Sequence, residues 1–249
     1  MRRFIVVTLI MLNFSVLTAQ VVNIENKRFY NDTSSFTGRA KFETEGFKNI
    51  ETVFNFGGSI NLQYHHGPHK LMFVGDMNYL VSDSTVVDNV AYAHLRYNYQ
   101  LTKVVTLEAY VQSQFNKILK ISSRTLGGAG ARLKLFDNAH TKIFYGMGAF
   151  YEKQVDTPDQ LSWTAARMST YLTYHLQITH FAELANTIYY QPNINNIYDK
   201  RLLDEFSIMI DATKWLTFES SLAFIHANKH GIDMPDNIWR YDNKLVINF

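Results

Sequence analysis

No cysteine occurs in the 249 residues, so the chain forms no disulfide, offers no thiolate nucleophile and builds no cysteine metal site. That absence fixes no redox compartment. Charge is also scarce: Asp, Glu, Lys and Arg make up 18% of the residues, for a formal net charge of +2. Loss of Arg2 and Arg3 with the leader described below brings the balance to neutral, so bulk charge draws no polyanion and no nucleic-acid partner is expected. Beyond residue 19 no apolar run reaches the roughly 18 residues of a helical membrane span. The glycine-rich "GGAG" at 127–130 has no helix after it and sits inside a strand pattern, so it cradles no phosphate.

What is present begins with a leader. Arg2 and Arg3 precede the apolar run Phe4–Leu12, and Ser15, Thr18 and Ala19 precede Gln20. This order of basic, apolar and small residues is that of a secretory signal peptide over 1–19, cut after Ala19. Residues 20–33 are polar and unpatterned, and read as an N-terminal segment in the periplasm.

From residue 34 onward apolar residues recur with period two, which in a strand puts them on one face. Leu71, Phe73, Met77 and Tyr79 oppose Lys70, Asp76 and Asn78; Leu95, Tyr97 and Tyr99 oppose His94, Arg96 and Asn98; Leu107, Val111 and Phe115 oppose Glu108, Gln112 and Gln114. The pattern persists for ten or so residues at a time, longer than ordinary soluble strands and long enough for tilted membrane-crossing ones. The connections alternate. "HHGPH" (65–69), "QLTK" (100–103), "FDNAH" (136–140), "HLQIT" (175–179) and "ATKW" (212–215) are short; "VSDSTVVDN" (81–89), "FNKILKIS" (115–122), "KQVDTPDQLSW" (153–163), "QPNINNIYDK" (191–200) and "HANKHGIDMPDN" (226–237) are longer. The expected fold is all-β: a single transmembrane antiparallel β-barrel of about twelve strands over 34–249, in the outer membrane of a Gram-negative envelope, with both termini periplasmic.

Aromatic residues gather at the ends of the apolar stripes, as at Tyr64, Tyr79, Tyr97, Trp215 and Trp239, where amphipathic rings suit a bilayer interface. The chain stops on Phe249, in phase with Tyr241, Leu245 and Ile247. These four are read as a lipid-facing stripe and as the assembly signal for the barrel insertion machinery; lipids and that machinery are the expected partners.

The opposite face is charged with both signs. It holds Asp76, His94, Arg96 and Glu108, then Arg124, Arg132, Lys134 and Arg167, then Glu205, Glu219, Arg240 and Asp242, and with them Arg39, Lys41, Glu43, Glu152, Glu183, Arg201 and Lys244. Charges in such an interior must be paired or wet. They either fill and stiffen a narrow lumen or line a pore for small polar solutes. Gly127, Gly128, Gly130, Gly146 and Gly148 are expected to let large neighbours lie flat or to bend the wall.

The stretches "AYAHLRYNYQLTKVVTLEAYVQSQFNKILKISSRTLGGAGARLKLFD" (91–137) and "LANTIYYQPNINNIYDKRLLDEFSIMIDATKWLTFESSLAF" (184–224) resemble the putative salt-induced outer membrane protein family. The resemblance implies an outer-membrane barrel without an established activity, and it carries over no catalytic or ligand residue.

Function is therefore expected to be that of a structural envelope barrel or a small, weakly selective passive channel. The alternative is a lipid-active enzyme of the lipase or acyltransferase type, which needs Ser and His within hydrogen-bond reach. Ser169 and His175 share a face but stand about 20 Å apart along a strand, and Ser220 and His226 are spaced alike. No catalytic residue, cofactor or metal is assigned. His65, His66 and His69 share one turn, but the adjacent pair points to opposite faces, so an exposed polar turn is expected there.

Overall fold

The structure is a computed structural model and describes residues 23–29, 35–48, 52–83, 85–117, 119–157, 161–227 and 237–248. The leader over 1–19 and Phe249 of the terminal stripe lie outside these residues. Twelve strands follow one another: β1 (Phe36–Lys48), β2 (Thr52–His66), β3 (His69–Ser82), β4 (Thr85–Gln100), β5 (Val105–Asn116), β6 (Ile121–Asp137), β7 (Thr141–Asp156), β8 (Ser162–Thr179), β9 (Ala182–Asn193), β10 (Asn196–Asp211), β11 (Leu216–Ala227) and β12 (Asn237–Asn248). Each pairs antiparallel with the next, and β12 returns to β1 to close a barrel. No helix among the described residues is long and apolar enough to cross a membrane.

Closure is uneven. β1 pairs with β2 from Phe36↔Tyr64 to Lys48↔Thr52, whereas β1 meets β12 at Arg39↔Asn248 and Ala40↔Ile247. This seam brings the start of the first strand and the end of the last to one end of the barrel, as an even strand number requires.

Period two translates directly into sidedness. On β5, Glu108, Gln112 and Gln114 are buried while Leu107, Val111 and Phe115 are exposed. On β9 the same holds for Ala185, Thr187 and Tyr189 against Ile188 and Tyr190. The barrel is thus inverted relative to a soluble protein: polar side chains fill the centre, and a band of exposed Leu, Ile, Val, Phe and Tyr girdles the wall. Tyr241, Leu245 and Ile247 belong to that band. An arginine at exposed Ala109 is expected to cost about 2 kcal/mol, because the charge meets hydrocarbon. Denaturant titration in lipid vesicles measures it, and Ala109→Leu should be nearly neutral.

The connections differ from expectation at several places: the expected short turn 175–179 lies within β8, with the reversal at 180–181, and Lys153, Gln154 and Val155 of the expected loop 153–163 pair with Thr164, Trp163 and Ser162. The expected loops 81–89 and 191–200 are paired hairpins instead: Ser82 faces Thr85, and Asn193 faces Asn196. Strands run from 12 to 18 residues, beyond the roughly 9–11 that a tilted crossing needs, so pairing continues past the bilayer into segments whose polarity marks them as loops. Asp83, at φ 50°, makes one such tight reversal, and its carboxylate accepts from the Thr52 amide at 2.8 Å.

Glycines on β6 and β7 make room inside. A Cβ on Gly146 would lie 2.0 Å from the Tyr171 ring, so that ring rests on bare backbone. Gly130 and Gly148 are register partners, and a Cβ on either would strike the other strand's carbonyl at 2.5 or 2.4 Å.

The largest departure concerns the N-terminal segment. Read from sequence as free in the periplasm, residues 23–29 instead lie inside the lumen, with Ile24, Glu25 and Arg28 buried.

Candidate functional site

The lumen segment is shaped by its own residues first. The Asn23 side-chain oxygen Oδ1 accepts from the amides of Glu25 and Asn26 at 3.1 and 3.3 Å, an Asx turn that starts the 3-10 turn Glu25–Lys27. The turn directs successive side chains toward different walls. Asn26 donates to Glu205 on β10 at 2.9 Å, and Asn61 on β2 donates to the Lys27 carbonyl. Gln63 clasps Phe29 by accepting from its amide at 3.4 Å and donating to its carbonyl at 3.1 Å. Since Gln63 and Asn61 lie near the short turn 67–68, Lys27 and Phe29 sit toward that end.

Glu25 is the centre of the first charge layer and is fully enclosed. Arg28 Nε donates to it at 2.7 Å, Arg132 Nε at 3.1 Å and Arg96 Nη1 at 3.4 Å. Glu108 forms the second anion of the layer, accepting from Arg96 Nη1 at 3.2 Å, from Tyr171 Oη at 3.1 Å and from Arg28. Burial pushes the Glu25 carboxyl up, but the charges of Arg28, Arg132 and Arg96 pull it down further, to about 2 from an ordinary 4.5. The wall arginines are held by the neighbouring strands: the Arg132 guanidinium lies 3.5 Å from the Phe144 ring centre on β7, and Arg96 lies 4.8 Å from that of Tyr110 on β5. Arg96 Nε also donates to His94 Nε2 at 3.2 Å, which leaves His94 Nδ1 as the donor to Gln112 at 2.9 Å and makes that imidazole neutral.

A second charge layer lies nearer the opposite end. Glu152, with no exposure, takes Arg124 at 2.5 Å and Arg201 at 2.9 Å on one oxygen, and Arg167 at 2.7 Å on the other. Arg167 continues to Asp199, reaching both carboxylate oxygens at 2.9 Å. Among the described residues Arg201 Nε and Nη2 have no partner. Between the two layers remains a cavity of about 50 Å³, bordered by Ile24, Arg96, Arg124, Tyr171 and Tyr189; the Tyr189 hydroxyl has no partner among the described residues. It has room for a few waters.

The remaining sequence-chosen charges line the other wall, from β10 through β12 and β1 to β3. Arg240 bonds Asp242 at 2.7 Å and stands 4.0 Å from Glu205; Lys244 lies 3.8 Å from Asp242. Glu219 faces Lys244 in register, and Asp76 sits on β3. Lys134 keeps the lumen face, opposite buried Phe144, but it lies near the short-turn rim, half-exposed and bonded to Asp137 at 2.8 Å. The side chain of Glu43 lies outside the described residues.

Sequence reasoning missed Glu25, Asn26 and Arg28, and placed Asp199 in a loop. The available signal was local: an Asn at 23 able to cap a turn, then opposite charges three residues apart in a segment without strand periodicity. The three-histidine turn does not gather. His65 Nε2 bonds the Gly67 carbonyl at 2.8 Å and His69 Nδ1 the Tyr97 hydroxyl at 2.6 Å, and no cluster of three metal-ligating side chains exists among the described residues. Ser169 accepts from Gln191, His175 bonds Glu183, Ser220 contacts the Tyr241 hydroxyl and His226 bonds Asn237.

The barrel is of the kind found in outer-membrane proteins. The translocator domain of the autotransporter NalP from Neisseria meningitidis superposes with a TM-score of 0.52 at 8% identity, covering 91% of this chain and 91% of that one. An outer membrane channel from Pseudomonas putida F1 does so with a TM-score of 0.52 at 13% identity, covering 86% of this chain and 95% of that one. At such identities the likeness shows the fold alone. No curated protein matches. The family model described as "Protein of unknown function, DUF481" matches residues 51–231, and the chain belongs to that family.

Proposed function

We propose that the protein is a narrow outer-membrane channel for small polar solutes, held closed by its own N-terminal segment. The observation that carries this reading is the nature of the plug. Residues 23–29 hold to the wall through exchangeable polar contacts, from Asn26, the backbone of Lys27 and Phe29, and the Glu25 and Arg28 charges, while Ile24 alone brings a buried apolar side chain. Water replaces polar contacts of that kind at modest net cost, so the segment can leave without dismantling the wall. Its departure would vacate the volume beside Arg96, Glu108 and Arg132, and leave the Glu152 layer as the remaining constriction. The resemblance of 91–137 and 184–224 to the salt-induced outer membrane proteins fits an envelope role of this sort.

The structural-barrel reading has one observation in its favour, the Glu152 layer, which belongs wholly to the wall and narrows the lumen with or without the plug. The serines weighed for a lipid-active enzyme, Ser169 and Ser220, lie against Gln191 and Tyr241, which supports the channel over the enzyme. Planar-bilayer recording decides between channel and structural barrel. The full chain is expected to give rare, small steps, and a form lacking residues 23–29 to be open at least about tenfold more of the time. Silence from both, with folding verified by heat-dependent gel migration, returns the protein to a structural role.

A further inference from the structure

Glu25 is a carboxylate in a place prepared by other residues. Two of its three arginines, Arg96 and Arg132, come from the wall, on β4 and β6; the third, Arg28, travels with the plug. Each of the wall pair also has contacts to the wall itself. Arg132 is stacked on Phe144, and Arg96 is fixed by Tyr110, by His94 and by Glu108. When the segment leaves, Glu25 and Arg28 leave together; Arg96 keeps Glu108 as its counter-charge, and the Arg96 Nη1 and Arg132 Nε donors that held the Glu25 carboxylate border the volume it has vacated. The adjoining cavity is also lined by Tyr189, whose hydroxyl has no partner among the described residues and adds a polar donor. A fork of fixed guanidinium groups matches the planar, two-oxygen shape of a carboxylate better than it matches a spherical halide.

We infer that Arg96 and Arg132 form a binding site for a small carboxylate solute, which Glu25 occupies as a tethered stand-in while the lumen is closed. Solute and plug then compete for the same guanidinium groups. A carboxylate of sufficient concentration opens the path that it uses, because it binds the open state and not the closed one. The inference rests on the closed-channel reading for its physiological meaning, but the site itself is testable without any current.

Trypsin reports the plug directly. Arg28 is buried in the closed lumen and becomes a cleavage site when the segment is released. The full, unsubstituted chain in lipid vesicles is treated with trypsin at neutral pH and constant ionic strength, with sodium acetate replacing sodium chloride. Mass spectrometry follows cleavage after Lys27 and Arg28. Acetate is expected to accelerate that cleavage by at least about fivefold over chloride. Glu25→Gln is expected to raise the rate in chloride alone, since it removes the carboxylate that the arginines hold. Equal rates in acetate and chloride for the unsubstituted chain overturn the carboxylate site, whether or not Glu25→Gln folds. In bilayers the plug-deleted form should show chloride current reduced by added acetate, with Arg132→Gln abolishing the reduction. An open plug-deleted channel indifferent to acetate sinks the site and leaves the channel; acetate-dependent cleavage with no current from any form keeps the site and sinks the channel.

Discussion

Glu152→Gln is expected to destabilise the barrel by about 3–5 kcal/mol, the range for removing one member of a buried charge network. Glu152 has no exposure and is the shared partner of Arg124, Arg167 and Arg201, which come from β6, β8 and β10. Glutamine keeps the size and one acceptor oxygen, but its amide donors face guanidinium donors, and Asp199 is already engaged with Arg167. Three cations are then left around a neutral group in a space too small for a full hydration shell. Lys134→Gln makes the comparison. It breaks the half-exposed pair with Asp137 and should cost less than about 1 kcal/mol. Urea titration of both variants in lipid vesicles measures the difference, and equal midpoints would show that the Glu152 layer is wet and replaceable. Combining Glu152→Gln with Arg201→Met should recover part of the loss, because Arg201 Nε and Nη2 have no partner among the described residues even with Glu152 in place.

Acidification is expected to release the plug between pH 4.5 and about 2. The Glu25 carboxyl is near 4.5 when the segment is free and about 2 when it sits among Arg28, Arg132 and Arg96. A carboxyl depressed in the closed state contributes its full latch strength above 4.5 and loses it progressively as pH falls toward 2. The difference corresponds to about 3 kcal/mol. The other groups facing Glu25 act through it: Glu108 shares Arg28 and Arg96, and the phenolic side chains of Tyr171 and Tyr189 stay neutral through this window. Bilayer recordings at pH 3 should show at least about tenfold more open time than at pH 7, and Glu25→Gln should remove most of the dependence. A pH response unchanged in Glu25→Gln would assign the latch to Glu108 or another carboxylate.

How legible the molecule is from its sequence varies along the chain, for a physical reason. On β4 and β5, His94, Arg96, Glu108 and Gln112 alternate with Leu95, Tyr97, Leu107 and Val111, and alternation in a closed barrel has only two destinations, lumen or lipid. Side therefore follows from parity. Loop lengths follow less well. Segments 81–89 and 191–200 carry the polar residues of loops yet continue as paired strands, because pairing beyond the bilayer is decided by the partner strand.

Within the lumen the limits are sharper. Parity puts Glu152 and Arg201 on the inward face, but nothing local says that Arg124, Arg167 and Arg201 converge on one carboxylate. They lie on alternate strands and meet because the barrel curves. Glu25 and Arg132 stand 107 positions apart, and their contact exists only once β4, β5 and β6 enclose the segment.

Sequence by itself determined the strand-forming pattern, the sidedness of the wall, the mixed charge of the interior and the absence of thiol chemistry, since each depends on the identity and spacing of near neighbours. Tertiary structure alone decided that the interior is filled: residues 23–29 turn inward, Glu25 lands between Arg96 and Arg132, and Glu152 gathers three arginines. A buried charge takes its partner from whatever the closed wall brings within about 3 Å, and that distance is set by the curvature and register of the whole barrel, which no short stretch of chain encodes.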